Sequence, residues 1–476
     1  MKLEWMICNL RLLSKWQFSE KGNDILWSGA IRFAPMAEAL SSRERAIYAP
    51  IDIEAPLVPA ACWTAPFSDG RVTLWNPIER PGDDWVAVPN PDSPVFWRKG
   101  DRGPWLVAWN FFSTLLDLYS FREDRDIVAR DEHDRFPIEA SPRYAEGLTQ
   151  VPFANEGLAL LLAGALAVRS GDAFRSALSE DLLSTPWLAL SHDCDALHGS
   201  DRYSQAIRAY RGFSPVLSGQ PPKFAPLRGI LENTLTPRRY YFDNMFGMFD
   251  VERQFGMRSV SYILNGKGGR FGARTPMRVN EQFIRAVPQG WPLGLHYNYG
   301  TMHDPFELAA QKRQAEVWTG SPIDCGRAHY LKFDPLTDFH TLAKNGFLFD
   351  ESVGWPYEGS YRCGVAGPFR PWDTRKQAPS EIVELPLTIM DATLSLKDTG
   401  SSSYLSLYRH LCRVGGILTL VVHPGAFFNP EREHMTGVYH TLLRDHYQSG
   451  GTSVLPADIL EASRVVWRSA ETEIDM

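Results

Sequence analysis

The chain has 476 residues, 44% apolar and 22% charged, with a formal net charge of −7. That is an ordinary globular composition, with material for about two to four domains. The acidic balance argues against nucleic acid as a partner, because phosphate binding needs a basic surface, and six scattered cysteines without a CxxC pair exclude a disulfide frame or a cysteine-rich zinc cluster.

In chain order, "MKLEWMICNLRLLSKWQFSEKG" opens the sequence. Glu4, Asn9 and Arg11 interrupt its apolar residues, and no small-residue cleavage site follows, so it does not read as a signal peptide. Residues 50–105 are rich in Pro, Trp, Gly and Asp, with β-prone pieces such as "RVTLW" and "DWVAV" between turn signals. "WLVAWNFFSTLLDLYSF" (105–121) is an apolar helix candidate, and the polar loop "REDRDIVARDEHDRFP" follows it. The longest apolar run, "LALLLAGALAV" (158–168), has 11 residues, short of the ~20 needed to span a bilayer. It predicts a buried core helix. The expectation is a soluble, cytoplasmic protein without a transmembrane segment, opening with a small α+β domain over 1–178.

From 179 to 476 the rhythm changes to strand-length apolar runs alternating with helical patterns. The predicted strands are 186–191, 258–264, 292–298, 327–333, 346–352, 382–390 and 417–423. Helix candidates include 305–319, with Pro305 in an allowed first-turn position, and 401–414, ended by Gly415 and Gly416. Such alternation predicts parallel strands with right-handed crossovers, and seven such units suggest a (β/α) barrel rather than an open sheet, although periodicity alone does not fix closure. About 60 residues separate Asp195 from the second strand, too many for one crossover, so an insertion bordering the site mouth is expected.

Polar residues gather at the C-terminal ends of these strands, where parallel α/β folds bind ligands. Asp193 and Asp195 end the first, His296 ends "PLGLH", Arg327 and His329 lie in "GRAHYL", and His423 ends "ILTLVVH". Ionised carboxylates at a buried strand end need a cation or a donor beside them. His192 and Cys194 read as packing residues on the opposite face, and Cys325 as structural. "NGKGGRFG" (265–272) lacks P-loop spacing and reads as a flexible loop. Among the aromatic residues, Trp291, Tyr297, Tyr299, Trp355, Tyr357, Tyr361 and Trp372 are core or sugar-stacking candidates.

The order "HDCD", "GLH", "GRAHYL" resembles the polysaccharide deacetylase family, the NodB-homology, carbohydrate esterase 4-like group. More narrowly it is similar to a bacterial branch with HDxD, GLH and HYL motifs and an N-terminal accessory domain. "GFLFDESVGW", "PFRPWD", "ELPLTIMDATL" and "LVVHPGAFF" extend the resemblance. It implies a distorted (β/α)7 barrel and a divalent ion, zinc by expectation, held by one aspartate and two histidines. The implied substrate is an N-acetylated sugar. By that resemblance Asp193 is the general base, Asp195 and His296 are metal ligands, Arg327 orients the base, and His423 is the general acid. Asp391 is the residue expected to hold the His423 ring. The family's second histidine would fall at Gly300, so the third ligand is left to His329 or His303, with His329 preferred because a strand would hold it. A backbone N–H such as that of Tyr330 is the expected oxyanion donor. Two alternatives stay open: hydrolysis of another linear amide or an O-acyl ester, and a metal-poor glycan-binding pseudo-enzyme or scaffold.

Overall fold

The structure, a computed structural model, describes residues 2–474 apart from 55, 58, 60, 68–69, 172–173, 175–177, 199–201, 236–239, 397–399 and 428–432. In the N-terminal part, short apolar runs between turn residues form β1 (Ile31–Ala34), β2 (Ile47–Pro50), β3 (Cys62–Phe67), β4 (Gly70–Trp75), β5 (Trp85–Val88), β6 (Phe96–Lys99) and β7 (Trp105–Val107). Five of them make one sheet in the order β1-β2-β7-β6-β5, and β3 and β4 pair as a hairpin. The helix predicted from 105 begins only at Phe111. Residues 105–107 are instead the fully buried strand β7, paired on both sides, and the Asn110 side chain caps the helix by accepting from the Ser113 N–H.

The apolar run at 158–168 is the middle of a longer helix, Phe153–Ser170. It reaches further because its two polar N-terminal residues are satisfied inside the core. Asn155 accepts from the Ala366 N–H and donates to the Gly415 carbonyl, and Glu156 accepts from the Thr73 N–H. With 18 residues it is long and apolar enough to cross a membrane, and 83% of it is buried inside the protein, where its all-round apolar surface packs as core.

The remaining strands are β8 (Trp187–Cys194), β9 (Ser259–Ile263), β10 (Leu293–Tyr297), β11 (Cys325–Ala328), β12 (Phe349–Asp350), the hairpin β13 (Trp372–Asp373) and β14 (Ala378–Pro379), β15 (Val383–Glu384), β16 (Ile389–Met390) and β17 (Ile417–Val421). Eight of these form one all-parallel sheet, ordered β15-β12-β11-β10-β9-β8-β17-β16. The predicted strand 382–390 is thus two short strands on opposite edges. One segment of chain joins β15 to β16 and brings the sheet edges round to each other, so backbone rather than a hydrogen-bonded ladder completes the barrel. Val383 and Ile389 are both buried, and the prolyl residue between the two strands, Pro386, has no N–H for a ladder.

The barrel interior holds Ala189, Val260, Tyr262, Cys325, Phe349, Val383 and Ile417 in one buried cluster with Val454, Ile459 and Leu460 from the C-terminal segment. Those last three plug the end away from the predicted site. The insertion after β8 contains helices Arg202–Phe213 and Phe224–Leu235, and the crossover helix Tyr240–Gln254 follows. That helix reaches the site rim, where the Asn244 amide donates to the carbonyls of Pro424 (2.9 Å) and Phe427 (2.5 Å) beside His423.

Candidate active site

Strand alternation points Ser191, Asp193 and Asp195 to the barrel interior and His192 and Cys194 to the opposite side. His192 faces away from the cluster as expected, but into a polar network. Its ring nitrogens lie 2.8 Å from the Val422 carbonyl and 2.8 Å from Glu252 Oε1, and Glu252 also accepts from Ser259, Trp291 and Tyr439. Cys194 is a buried free thiol.

Parallel register places Asp193 beside Tyr262 and His296 beside Arg327. Arg327 is completely buried. It donates to Asp193 Oδ1 (2.7 Å), to Ser191 Oγ (2.8 Å), to the Glu351 carbonyl (3.0 Å) and to the Glu351 carboxylate. Burial raises the pKa of Asp193, but the charges of Arg327, His296 and His423 outweigh it, so the carboxyl stays ionised below the usual range. Burial pushes Glu351 up to about 7 despite Arg327. Asp350 and Glu384 lie behind it as a buried pair of carboxylates, both raised by burial. This acidic layer was not anticipated, although "FDES" repeats the pattern of "HDCD": carboxylates at the end of an apolar strand.

Asp195, His296 and His329 offer ligand atoms within 4.8 Å of one another, and no other such group of His, Cys, Asp or Glu occurs among the described residues. Asp195 Oδ1 is 3.0 Å from His296 Nε2 and 3.5 Å from His329 Nε2. The His296 Nδ1 lies 2.8 Å from the Arg327 carbonyl, which can only accept, so that nitrogen carries the proton. In the neutral ring Nε2 then presents a lone pair to the carboxylate. Asp195 Oδ1 is buried and receives no hydrogen bond from the described residues. Two acceptors facing each other at that distance call for a cation or a proton between them, and an O,N,N donor set fits a divalent metal of the zinc type. Burial raises the pKa of Asp195, yet the neighbouring imidazoles of His329 and His296 hold it well below the carboxylate range.

The sequence placed His329 within a strand. Instead β11 ends at Ala328, and His329 opens the three-residue turn His329–Leu331. His303 is exposed on the separate turn Thr301–His303 and is not in the group. His423 stands just past β17. Its Nδ1 is 2.7 Å from Asp391 Oδ1, and its Nε2 lies 3.7 Å from Asp195 and 3.9 Å from Asp193. Burial lowers its pKa, but Asp391 and then the two site aspartates reverse this and push it up to about 10.

Of the aromatic candidates, Tyr297, Trp355, Tyr361 and Trp372 are core residues, whereas Tyr357 is exposed. Tyr299 is half-buried, and its ring packs against Phe271 of the glycine-rich loop at 4.7 Å. Tyr330 lies 4.6 Å from the His329 ring. The polar loop after the first predicted helix reaches this rim as well: His133 packs on Tyr330 at 4.8 Å.

No protein-family model matches the chain, and no curated protein sequence matches it. It is similar to several solved structures. Peptidoglycan deacetylase PdaC from Bacillus subtilis has 10% identity and a TM-score of 0.31, over 62% of this chain and 97% of that one. A family 4 carbohydrate esterase from Streptomyces lividans has 10% identity and a TM-score of 0.27, over 57% and 92%. Puue allantoinase has 12% identity and a TM-score of 0.38, over 59% and 90%.

Proposed function

We propose that the chain is a hydrolase that removes an N-acetyl group from an amino sugar of a cell-surface polysaccharide or its precursor. A divalent ion, zinc by its donor set, would be held by Asp195, His296 and His329. The observation that carries this reading is the convergence of three chemistries at one barrel mouth: a converging O,N,N cluster, a carboxylate kept ionised by Arg327, and an imidazole kept protonated by Asp391. The choice of an N-acetyl sugar rests on the motif resemblance.

An amide carbonyl is a poor electrophile and neutral water a poor nucleophile; a bound divalent ion polarises the first and lowers the pKa of the second toward about 7. Asp193 takes the water proton. Its Oδ1 is committed to Arg327, which leaves Oδ2 as the basic oxygen. His423 returns a proton from Nε2 to the departing amine while Asp391 holds Nδ1. Tyr330, on the turn carrying His329, supplies the candidate backbone N–H for the oxyanion. Tyr299 and Tyr357 offer aromatic faces to sugar rings.

The test pairs metal content with acetate release from N-acetylglucosamine oligomers. The expected result is one equivalent of divalent metal in the wild type and none in folded Asp195→Ala. Asp193→Asn should keep the ion while acetate release falls by about 10²–10⁴. A folded wild type that takes up no ion, or an Asp193→Asn variant with full activity, refutes the reading.

A further inference from the structure

We propose that Arg135, which lies outside the barrel in the polar loop following helix Phe111–Tyr119, is the positioning residue for the third metal ligand, His329. This rests on the metal reading above.

The three site imidazoles are held in different ways. His296 has its Nδ1 against the Arg327 carbonyl at 2.8 Å, and His423 has its Nδ1 against Asp391 at 2.7 Å. Metal-binding and catalytic histidines generally have their second nitrogen engaged in this manner, which fixes ring orientation and tautomer. The His329 Nδ1 is buried with no hydrogen-bond partner among the described residues. Among the described residues no group orients that ring through its far nitrogen, so its position rests on its backbone and on ring contacts with His296 (5.0 Å) and Tyr330 (4.6 Å).

That backbone is a tight turn, closed by the Lys332 N–H donating to the His329 carbonyl at 3.2 Å. Tyr330 (φ 61°) and Leu331 (φ 52°) follow one another in the left-handed region, which is unfavourable for a non-glycine residue. On its upstream side the turn is anchored by the Ala328 N–H donating to Ser352 Oγ at 2.9 Å. At its apex the anchor is Arg135, whose Nη1 donates to the Tyr330 carbonyl at 2.6 Å.

The guanidinium is itself immobilised. Asp131 Oδ2 receives Arg135 Nε at 2.8 Å and Nη2 at 2.7 Å, while Asp131 Oδ1 receives the backbone N–H groups of His133 (2.9 Å) and Arg135 (3.0 Å). Arg135 is only 6% exposed. The planar fork spans an aspartate and a carbonyl at once, which a lysine ammonium on a flexible stem does less well. A loop distant in sequence therefore sets where the third ligand stands.

The test measures Zn²⁺ affinity of the full chain by competition with a chromophoric chelator, in wild type, Arg135→Ala, Arg135→Lys and His296→Ala. The visible spectrum of the Co²⁺-loaded protein and the melting temperature of the metal-free protein are recorded beside it. Arg135→Ala should bind Zn²⁺ about 10–100-fold more weakly, the usual effect of losing an outer-shell support. Its Co²⁺ bands should shift, and Arg135→Lys should fall between it and wild type. Equal affinity and an unchanged Co²⁺ spectrum in both Arg135 variants, with His296→Ala losing the metal, overturn the proposal and leave the metal site standing. A wild type that binds no Zn²⁺ overturns the metal reading itself. Should Arg135→Ala fail to fold, Arg135→Lys decides by the same measurements.

Discussion

At His423, a ring that burial alone would discharge is held protonated by Asp391, 2.7 Å away, and its pKa rises to about 10. A folded-state pKa above the unfolded value of about 6.5 means stability that is fully present below that value and lost as pH rises through about 10. In Asp391→Asn the ring should titrate nearer its ordinary value. The alkaline limb of the kcat/KM profile should move to lower pH, and activity near pH 8 should fall by about 10²–10⁴. The stability deficit of the variant should be larger at pH 6 than at pH 10. A cation at Asp195 neutralises part of the carboxylate field on His423, so metal loading should lower its pKa in an NMR titration. An unmoved alkaline limb in Asp391→Asn would remove Asp391 from this role.

Among the elements, β10 shows how one strand serves both packing and chemistry. His296 and Gly294 share a face of it by alternation. A Cβ on Gly294 would stand 2.6 Å from the Tyr262 ring and 2.8 Å from the Cys325 carbonyl. The Tyr262 ring in turn lies under the Arg327 guanidinium at 4.9 Å. Gly294→Ala should therefore displace a fully buried ring and destabilise the protein by about 1–3 kcal/mol, read in a denaturant titration. Because Tyr262 supports Arg327, the same variant should lose activity at temperatures where it is still folded. Full activity with wild-type stability would show that the barrel accommodates the methyl without moving Tyr262.

For the whole molecule, the site joins elements distant in the chain: β8, β10, the turn after β11, the end of β17 and a loop near residue 135. A ligand that binds only the assembled site stabilises the fold by mass action, about 2.7 kcal/mol at a hundred times Kd. Zn²⁺ should accordingly raise the melting temperature of the wild type, chelator should reverse the rise, and Asp195→Ala should show neither effect. A rise of the same size in Asp195→Ala would place the stabilising ion elsewhere. The terminal regions share in the assembly too. Helix Lys2–Gln17 packs on helix Pro456–Ile474 through Cys8, Leu12 and Val466, and the Gln17 amide donates to the carbonyls of Asn155 and Val414.

The sequence by itself determined the fold class of the barrel half and the residue types at its strand ends. Apolar runs of strand length and polar residues just beyond them are local properties, written in consecutive positions. Asp193, Asp195, His296, Arg327 and His423 were legible for that reason. The sequence preferred His329 over His303 as the partner of Asp195 and His296, but on the ground that a strand would hold it; only the tertiary structure showed that a turn brings it there while His303 stands apart. It also decided that 382–390 splits across two sheet edges, that Glu351, Asp350 and Glu384 form an acidic layer under Arg327, and that Asp131 and Arg135 grip the turn at Tyr330. Each of these is a contact between segments far apart in order. Burial and short-range electrostatics act through space, and a linear pattern carries no distance between residues that only folding makes neighbours.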